Sequence, residues 1–269
     1  VPFTPSHAIV ALPFVRTPLV PAAIAIGAMT PDLPLFVRAV VPAYGRTHDL
    51  TWLPLTVVWA LALLLVWRAV LRPAVRELSP TWLADRLPIA WDAGAPVALR
   101  ETFGGRRGRP SVSTVGLVLV SLALGVVTHI VWDLFTHEGR AGSELLPALA
   151  GMWGPLPGCT WLQHGSSILG LAVLAACGGV WLRGRRPEGR VRRVLPPAVR
   201  VVWWASLPAV LVVACVVGLA VWGPLAGAFT PAHLAYRVLP PACALWGGAT
   251  LALAVLVQAL RAPLAHERR

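Results

Sequence analysis

Thr128-His129-Ile130-Val131-Trp132-Asp133-Leu134-Phe135-Thr136-His137 sets an imidazole, a carboxylate and a second imidazole four residues apart. Residues at i and i+4 share a helix face, so His129 and Asp133 project together. His137 joins them if the helix runs one more turn before Gly139 ends it. A nitrogen and an oxygen on one face are ligand types for a borderline divalent metal such as zinc, manganese or iron. The same spacing also fits a His–Asp hydrogen bond inside a helix bundle, and the pair alone does not separate the two readings. Either way, an aspartate within an apolar run is costly and must face a partner or a wet cavity.

Further donors occur at local breaks in the chain. Thr4-Pro5-Ser6-His7 and Thr30-Pro31-Asp32 each read as a helix start, with Thr at N-cap and Pro at N1, which sets His7 and Asp32 at helix mouths. Gly45-Arg46-Thr47-His48-Asp49 reads as a turn into a helix. Gln163-His164-Gly165-Ser166-Ser167 reads the same way, its serines serving as caps. Singly, each is more often a cap or a satisfied surface residue than a ligand. Together His7, Asp32, His48, His129, Asp133, His137 and His164 are enough for one or two divalent ions, zinc first and manganese or iron next, with some residues as outer partners. Such ions acidify a bound water and polarise a phosphoryl or acyl oxygen, so hydrolysis is the natural reaction. Asp49 and Glu138 are the candidate general bases.

The elements that must position these groups follow from composition. Of 269 residues, 57% are hydrophobic and only 13% charged, with a mean hydropathy of +0.71, which excludes an ordinary soluble domain. A bilayer core about 30 Å thick needs roughly 20 apolar helical residues. Five runs qualify: Trp52–Leu71, Val112–Phe135, His164–Leu182, Val201–Trp222 and Val238–Leu260. Trp52, Trp67, Trp132, Trp181, Trp203, Trp204 and Trp222 lie near run ends, as an interfacial aromatic belt requires. Ala8–Met29 is apolar but interrupted by Pro13, Arg16, Pro18 and Pro21, and reads as a broken span or re-entrant hairpin. The fold class is therefore all-α: a polytopic transmembrane helical bundle of five clear spans plus an N-terminal broken or re-entrant helical hairpin. Residues 1–182 form the core carrying the His/Asp motifs, 183–200 a basic linker, and 201–269 two further spans and a tail. The absence of a basic stretch ahead of the first apolar run argues against a cleaved signal peptide.

The net charge of +12 comes entirely from arginine on the basic side, and the arginines sit between apolar runs. That pattern is a topology signal and excludes nucleic acid as the partner. Placing the two arginine-rich loops, after the first and third runs, in the cytoplasm puts 18 of the 23 arginines there together with the C-terminus. The stretch Gly104–Arg109 within the first of these loops reads as a solvated linker, and Ser79–Leu87 as a short surface helix. His48, His129, His137, His164 and His233 then collect at the outer face. Lone, unpaired cysteines at 159, 177, 215 and 243 read as small apolar side chains.

Phe3-Thr4-Pro5-Ser6-His7-Ala8, Gly27-Ala28-Met29-Thr30-Pro31-Asp32, Arg46-Thr47-His48, the 128–137 stretch and Leu162-Gln163-His164-Gly165-Ser166-Ser167 resemble the ordered motifs of a bacterial membrane family, domain of unknown function 4184. That family has no established activity. The motif order is distantly similar to that of membrane-bound metal-dependent hydrolases, and the H-x-x-x-D helix more remotely resembles the zinc phospholipase C group. This resemblance implies a bacterial membrane protein with metal-dependent hydrolase chemistry, and the arginine topology turns its site outward, where a boundary position favours an amphiphilic or phosphoester substrate. Two positions depart from the pattern: Asp49 follows His48 where Ser is usual, and Ile168 stands where an H-x-x-x-E partner to His164 would be. The rivals are a non-catalytic membrane protein with a structural polar or metal cluster, and a transporter. For the latter, Phe229-Thr230-Pro231-Ala232-His233 echoes Phe3-Thr4-Pro5-Ser6-His7, without a second matching segment.

Overall fold

The computed structural model describes residues 4–37, 44–104, 109–227 and 229–266. Outside them lie Phe3 of the first motif, Arg38, the centre of the Gly104–Arg109 linker and the terminal arginines. The protein is all-α and multi-pass. Five helices are long and apolar enough to cross a membrane: Leu50–Leu78, Val112–Thr136, Gly158–Arg183, Pro197–Trp222 and Pro231–Ala262, here the first to fifth spans. Among the described residues, the only strands form the two-residue pairing of Met152–Trp153 with Leu156–Pro157.

The spans extend the apolar runs by up to seven residues at the ends, because a helix continues past hydrocarbon until a residue stops it. The third begins at Gly158, so His164 lies well inside the helix and the Gln163–Ser167 stretch is no turn. The second starts at Ser111, whose hydroxyl caps Thr114 N–H at 3.5 Å, and ends at Thr136, leaving His137 as an extended C-cap. In the loop after the first span, the helical turn occupies Thr81–Ala84, and a further helix forms at Ala95–Phe103.

The chain divides into two compact units that interleave along the sequence. The first comprises Val1–Pro34, Val40–Leu64 and Arg100–Gly184; the second comprises Leu35–Ala39, Leu65–Leu99 and Arg185–Arg269.

In the first unit the N-terminal stretch is a broken hairpin. Thr4–Phe14 forms a 3-10 helix with Pro13 inside it, and Pro21–Met29 an α-helix with Pro at its first position. The Pro21–Met29 helix lies against the second span, burying Ala23, Ile24 and Ala28 completely, and Val20 N–H reaches Ser121 Oγ at 2.9 Å. The third span closes over the 3-10 helix at Gly170, where a Cβ would come within 3.2 Å of the Ser6 carbonyl. The threonines of the two Thr-Pro pairs are not N-caps. Thr30 donates to the Ile26 carbonyl at 2.7 Å, continuing the preceding helix, and Thr4 donates to Asp32.

In the second unit, Ala74, Leu78, Leu195, Ala254 and Val257 form a core. The first span passes through a π-turn at Trp67–Leu71, just before Pro73. Proline has no N–H and its ring crowds the carbonyl four residues back, so Ala69 loses its helical donor. Gln258 supplies one, donating to Ala69 and Val70 carbonyls at 3.1 and 3.3 Å. Arg76 and Glu77 are buried and paired here. Arg76 donates to Ala84 and Gly189 carbonyls at 2.9 Å and to Asp92, while Glu77 accepts from Val194 and Leu195 N–H at 3.2 Å and Arg261 at 3.1 Å.

Candidate metal centre

Five donors from four stretches of chain meet in the first unit: His7 of the 3-10 helix, Asp32 of the Thr30–Asp32 turn, His48 after the Tyr44–Thr47 turn, and His129 and Asp133 of the second span. What brings them together is a close helix crossing. A Cβ on Gly125 would meet the Ala28 nitrogen at 2.7 Å and the Gly27 carbonyl carbon at 3.0 Å, so only glycine permits this approach. One turn further along the second span, His129 Nδ1 lies 2.6 Å from the Ala28 carbonyl.

That contact determines the imidazole's role. A carbonyl only accepts, so His129 carries its proton on Nδ1 and turns the Nε2 lone pair inward. His48 is held the same way: Nδ1 donates to the Tyr44 carbonyl at 2.9 Å, and the ring stacks on Tyr44 with centroids 3.8 Å apart. Its Nε2 faces His129 Nε2 at 3.2 Å. Two lone pairs at that distance repel unless positive charge lies between them. Asp32 Oδ1 stands 3.7 and 3.8 Å from His48 and His129 Nε2, and Asp133 Oδ2 stands 3.4 and 3.5 Å from the same atoms. The imidazole pair is thus the shared edge of two triangles, one completed by each carboxylate. His7 stacks on His129 at 4.1 Å, and its donor atom lies within 4.8 Å of those of His129 and Asp133.

The residues fit a divalent ion. Ligands on one tetrahedral ion with bonds of about 2.1 Å lie about 3.4 Å apart, and within each of the two triangles the separations run from 3.2 to 3.8 Å. A shared proton would answer only the imidazole pair. His7 Nε2, Asp32 Oδ1 and Asp133 Oδ1 are also buried with no hydrogen-bond partner, which is costly unless a cation or a bound water completes them.

A supporting ring orients the donors. Thr4 donates to Asp32 Oδ2 at 2.6 Å, leaving Oδ1 for the centre, and Thr47 ties the His48 turn to the Pro31 carbonyl at 2.7 Å. His137 Nδ1 lies 3.3 Å from the Asp133 backbone carbonyl and 3.7 Å from its Oδ2, and Nε2 lies 3.1 Å from the Gln163 amide nitrogen, so the ring links the end of the second span to the third beside Asp133. His7 and His137 lie outside the five spans. Burial, helped by the neighbouring His129, lowers His7 to about 3, and burial also lowers His137, so both are neutral at pH 7 and keep a lone pair.

Three sequence candidates lie elsewhere. Asp49 is exposed and caps the Leu50–Trp52 turn by accepting from Thr51 N–H at 2.9 Å, and Glu138 is exposed beyond the end of the second span. His164 is exposed because the buried stripe of the third span is Cys159, Gln163, Ser167 and Gly170, and its neighbour in sequence sits about 100° off that line. Gln163, Thr4 and Thr47 are the site residues that donor-type reasoning passes over. The phase of small and polar residues in 159–170 carries the signal for Gln163. We expect Gln163→Ala to weaken metal binding about 10–100-fold, as loss of an outer partner does, and His164→Ala to leave it unchanged, both read by competition with a chromogenic chelator. Equal effects would mean that Gln163 does not support the centre.

The family model described as Domain of unknown function (DUF4184) matches residues 1–260. No curated protein and no solved structure matches the chain.

Proposed function

We propose, starting from a chain that belongs to the family of Domain of unknown function (DUF4184), that the His/Asp cluster is the centre of a membrane-embedded, metal-dependent hydrolase. One observation carries this reading: two carboxylates close on one imidazole edge while three buried donor atoms remain without partners. Asp32, His48 and His129 would hold a divalent ion, zinc first, and His7 with His129 and Asp133 offers a place for a second. A bound ion would supply Lewis-acid polarisation of a phosphoryl or acyl oxygen and a water acidified toward neutrality.

The chain's own groups do the rest. Asp133 turns Oδ2 toward three imidazoles and keeps Oδ1 free of donors, so Oδ1 is the atom able to accept a proton from an attacking water. His137, whose side chain is 25% exposed, lies on the open side of an otherwise closed cluster and marks the direction of substrate approach. His48 precedes the first span by two residues, Asp133 lies three residues from the end of the second, and Gln163 lies near the start of the third, so the centre sits at one membrane–water boundary. That depth suits an amphiphilic ester, such as a lipid phosphoester, whose headgroup rests there. The arginine bias toward the opposite ends of these spans supports an outward-facing site in a bacterial cytoplasmic membrane. Donors gathered at one boundary also favour surface chemistry over a transport path.

The test uses the full chain purified in detergent. We expect one or two zinc, manganese or iron ions per chain, and hydrolysis of short-chain phosphoester or acyl-ester lipids that stops with chelator and returns with metal. A folded, metal-free protein would overturn the reading. Bound metal without turnover across phosphomonoesters, phosphodiesters and acyl esters would reduce the centre to a structural one.

A further inference from the structure

The second unit holds a cavity of about 340 Å³ where the end of the first span meets the start of the fourth and the end of the fifth. Its walls include Trp67, Leu71, Leu78, Trp203, Trp204 and Ala254. Most of the polar side-chain atoms on these walls are bonded within the protein. Trp203 Nε1 donates to Thr250 Oγ1 at 3.1 Å, Trp204 Nε1 to the Leu78 carbonyl at 2.9 Å, and Ser79 Oγ to the Val75 carbonyl at 2.7 Å. The lining is otherwise almost wholly apolar and offers little to hold water, so the cavity favours hydrocarbon.

The chain segment leading into the fourth span, tied to Ser79 of the cavity wall, is rich in arginine. Arg193 is spent on structure, donating to the carbonyls of Arg76 at 2.7 Å, Ser79 at 2.9 Å and Glu77, and so fixes the extended chain before the fourth span beside the cavity wall. With Arg193 turned inward, Arg190 and Arg192 face outward and exposed, and among the described residues neither has an acidic partner. Arg200 stands one helical turn before Trp203 and Trp204. The cluster around Glu77 is itself rich in arginine: among the described residues, Arg76, Arg193, Arg200 and Arg261 gather around Glu77 and Asp92, with Asp85 acting on Arg193. An apolar slot at the end of the spans beside uncompensated guanidinium groups is complementary to a lipid with a negative headgroup.

We propose that this cavity and the arginine-rich segment bind an anionic phospholipid, one acyl chain lying among Trp67, Trp203 and Trp204 and the phosphate meeting Arg190, Arg192 and Arg200. The site is separate from the His/Asp centre and does not depend on the hydrolase reading.

The test reads lipid retention by native mass spectrometry of the full chain released from nanodiscs of equal phosphatidylglycerol and phosphatidylcholine. We expect wild type to keep phosphatidylglycerol at least tenfold over phosphatidylcholine. Arg190→Gln with Arg192→Gln, both exposed and without acidic partners, should cut that preference by about fivefold per arginine. Ala254→Leu, which fills the cavity floor, should cut retention of phosphatidylglycerol itself. Equal retention of the two lipids by wild type, or an unchanged ratio in the arginine variant, would overturn the headgroup assignment. Undiminished retention in a folded Ala254→Leu protein would overturn the cavity as the chain's seat.

Discussion

On the hydrolase reading proposed above, His129→Ala should release the metal entirely and lower ester hydrolysis about 10³-fold or more, equivalent to roughly 4 kcal/mol of lost transition-state stabilisation. The size follows from position. His129 Nε2 belongs to both donor groups, His7–His129–Asp133 and Asp32–His48–His129, so one truncation opens every face that could hold an ion. Its Nδ1–H bond to the Ala28 carbonyl is lost as well, which frees the ring side of the helix crossing. Asp49→Asn and Glu138→Gln, both exposed and away from the cluster, should change turnover little. The measurement is metal content by elemental analysis beside initial rates on the same preparations. Retained stoichiometric metal in the His129 variant would show that the ion, if present, is held elsewhere. A severe defect in the Asp49 or Glu138 variant, with metal retained, would restore that residue as the proton acceptor in place of Asp133.

Gly125→Ala should destabilise the protein by about 1–3 kcal/mol through overpacking, with the centre disturbed as a second effect. The added Cβ would strike backbone rather than a flexible side-chain end, at 2.7 Å from Ala28 N and 3.0 Å from Gly27 C, so the Pro21–Met29 helix must move off the second span. Movement there draws the Ala28 carbonyl from His129 and carries Asp32, one turn beyond, with it. Gly116, on the same span with open space around its Cβ position, is the matched control: Gly116→Ala should be neutral or slightly stabilising, because alanine favours helix. Thermal unfolding in detergent separates the two variants. An unchanged midpoint for Gly125→Ala would mean that the crossing is looser than these contacts require. This prediction concerns packing alone and holds whether or not a metal binds.

The five spans and the broken N-terminal stretch were legible because hydrocarbon imposes a length and a composition that any chain must meet locally. Span ends were less so. His164 looks like a helix start because Gly and Ser follow it, yet the helix already runs from Gly158, and the residue's phase then decides that it faces outward. The grouping of the chain was also hidden. Residues 65–99 read as the end of the first run and the loop that follows it, and in the structure they group with the last two spans, through buried Arg76 and Glu77 and the Gln258 bonds to the π-turn carbonyls. No local pattern announces pairs of groups more than a hundred residues apart.

The amino-acid order alone determined the helical, membrane-crossing character of the protein and the donor types available at one end of its spans, since hydropathy and the four-residue repeat act within single helices. Only the tertiary structure decided which donors meet. His48 and His129 are 81 residues apart in sequence, and their 3.2 Å separation exists because Gly27 and Gly125 admit a backbone-to-backbone crossing and because two backbone carbonyls orient both rings. Convergence is a property of packing between segments, and packing at that resolution depends on which side chains are missing as much as on which are present.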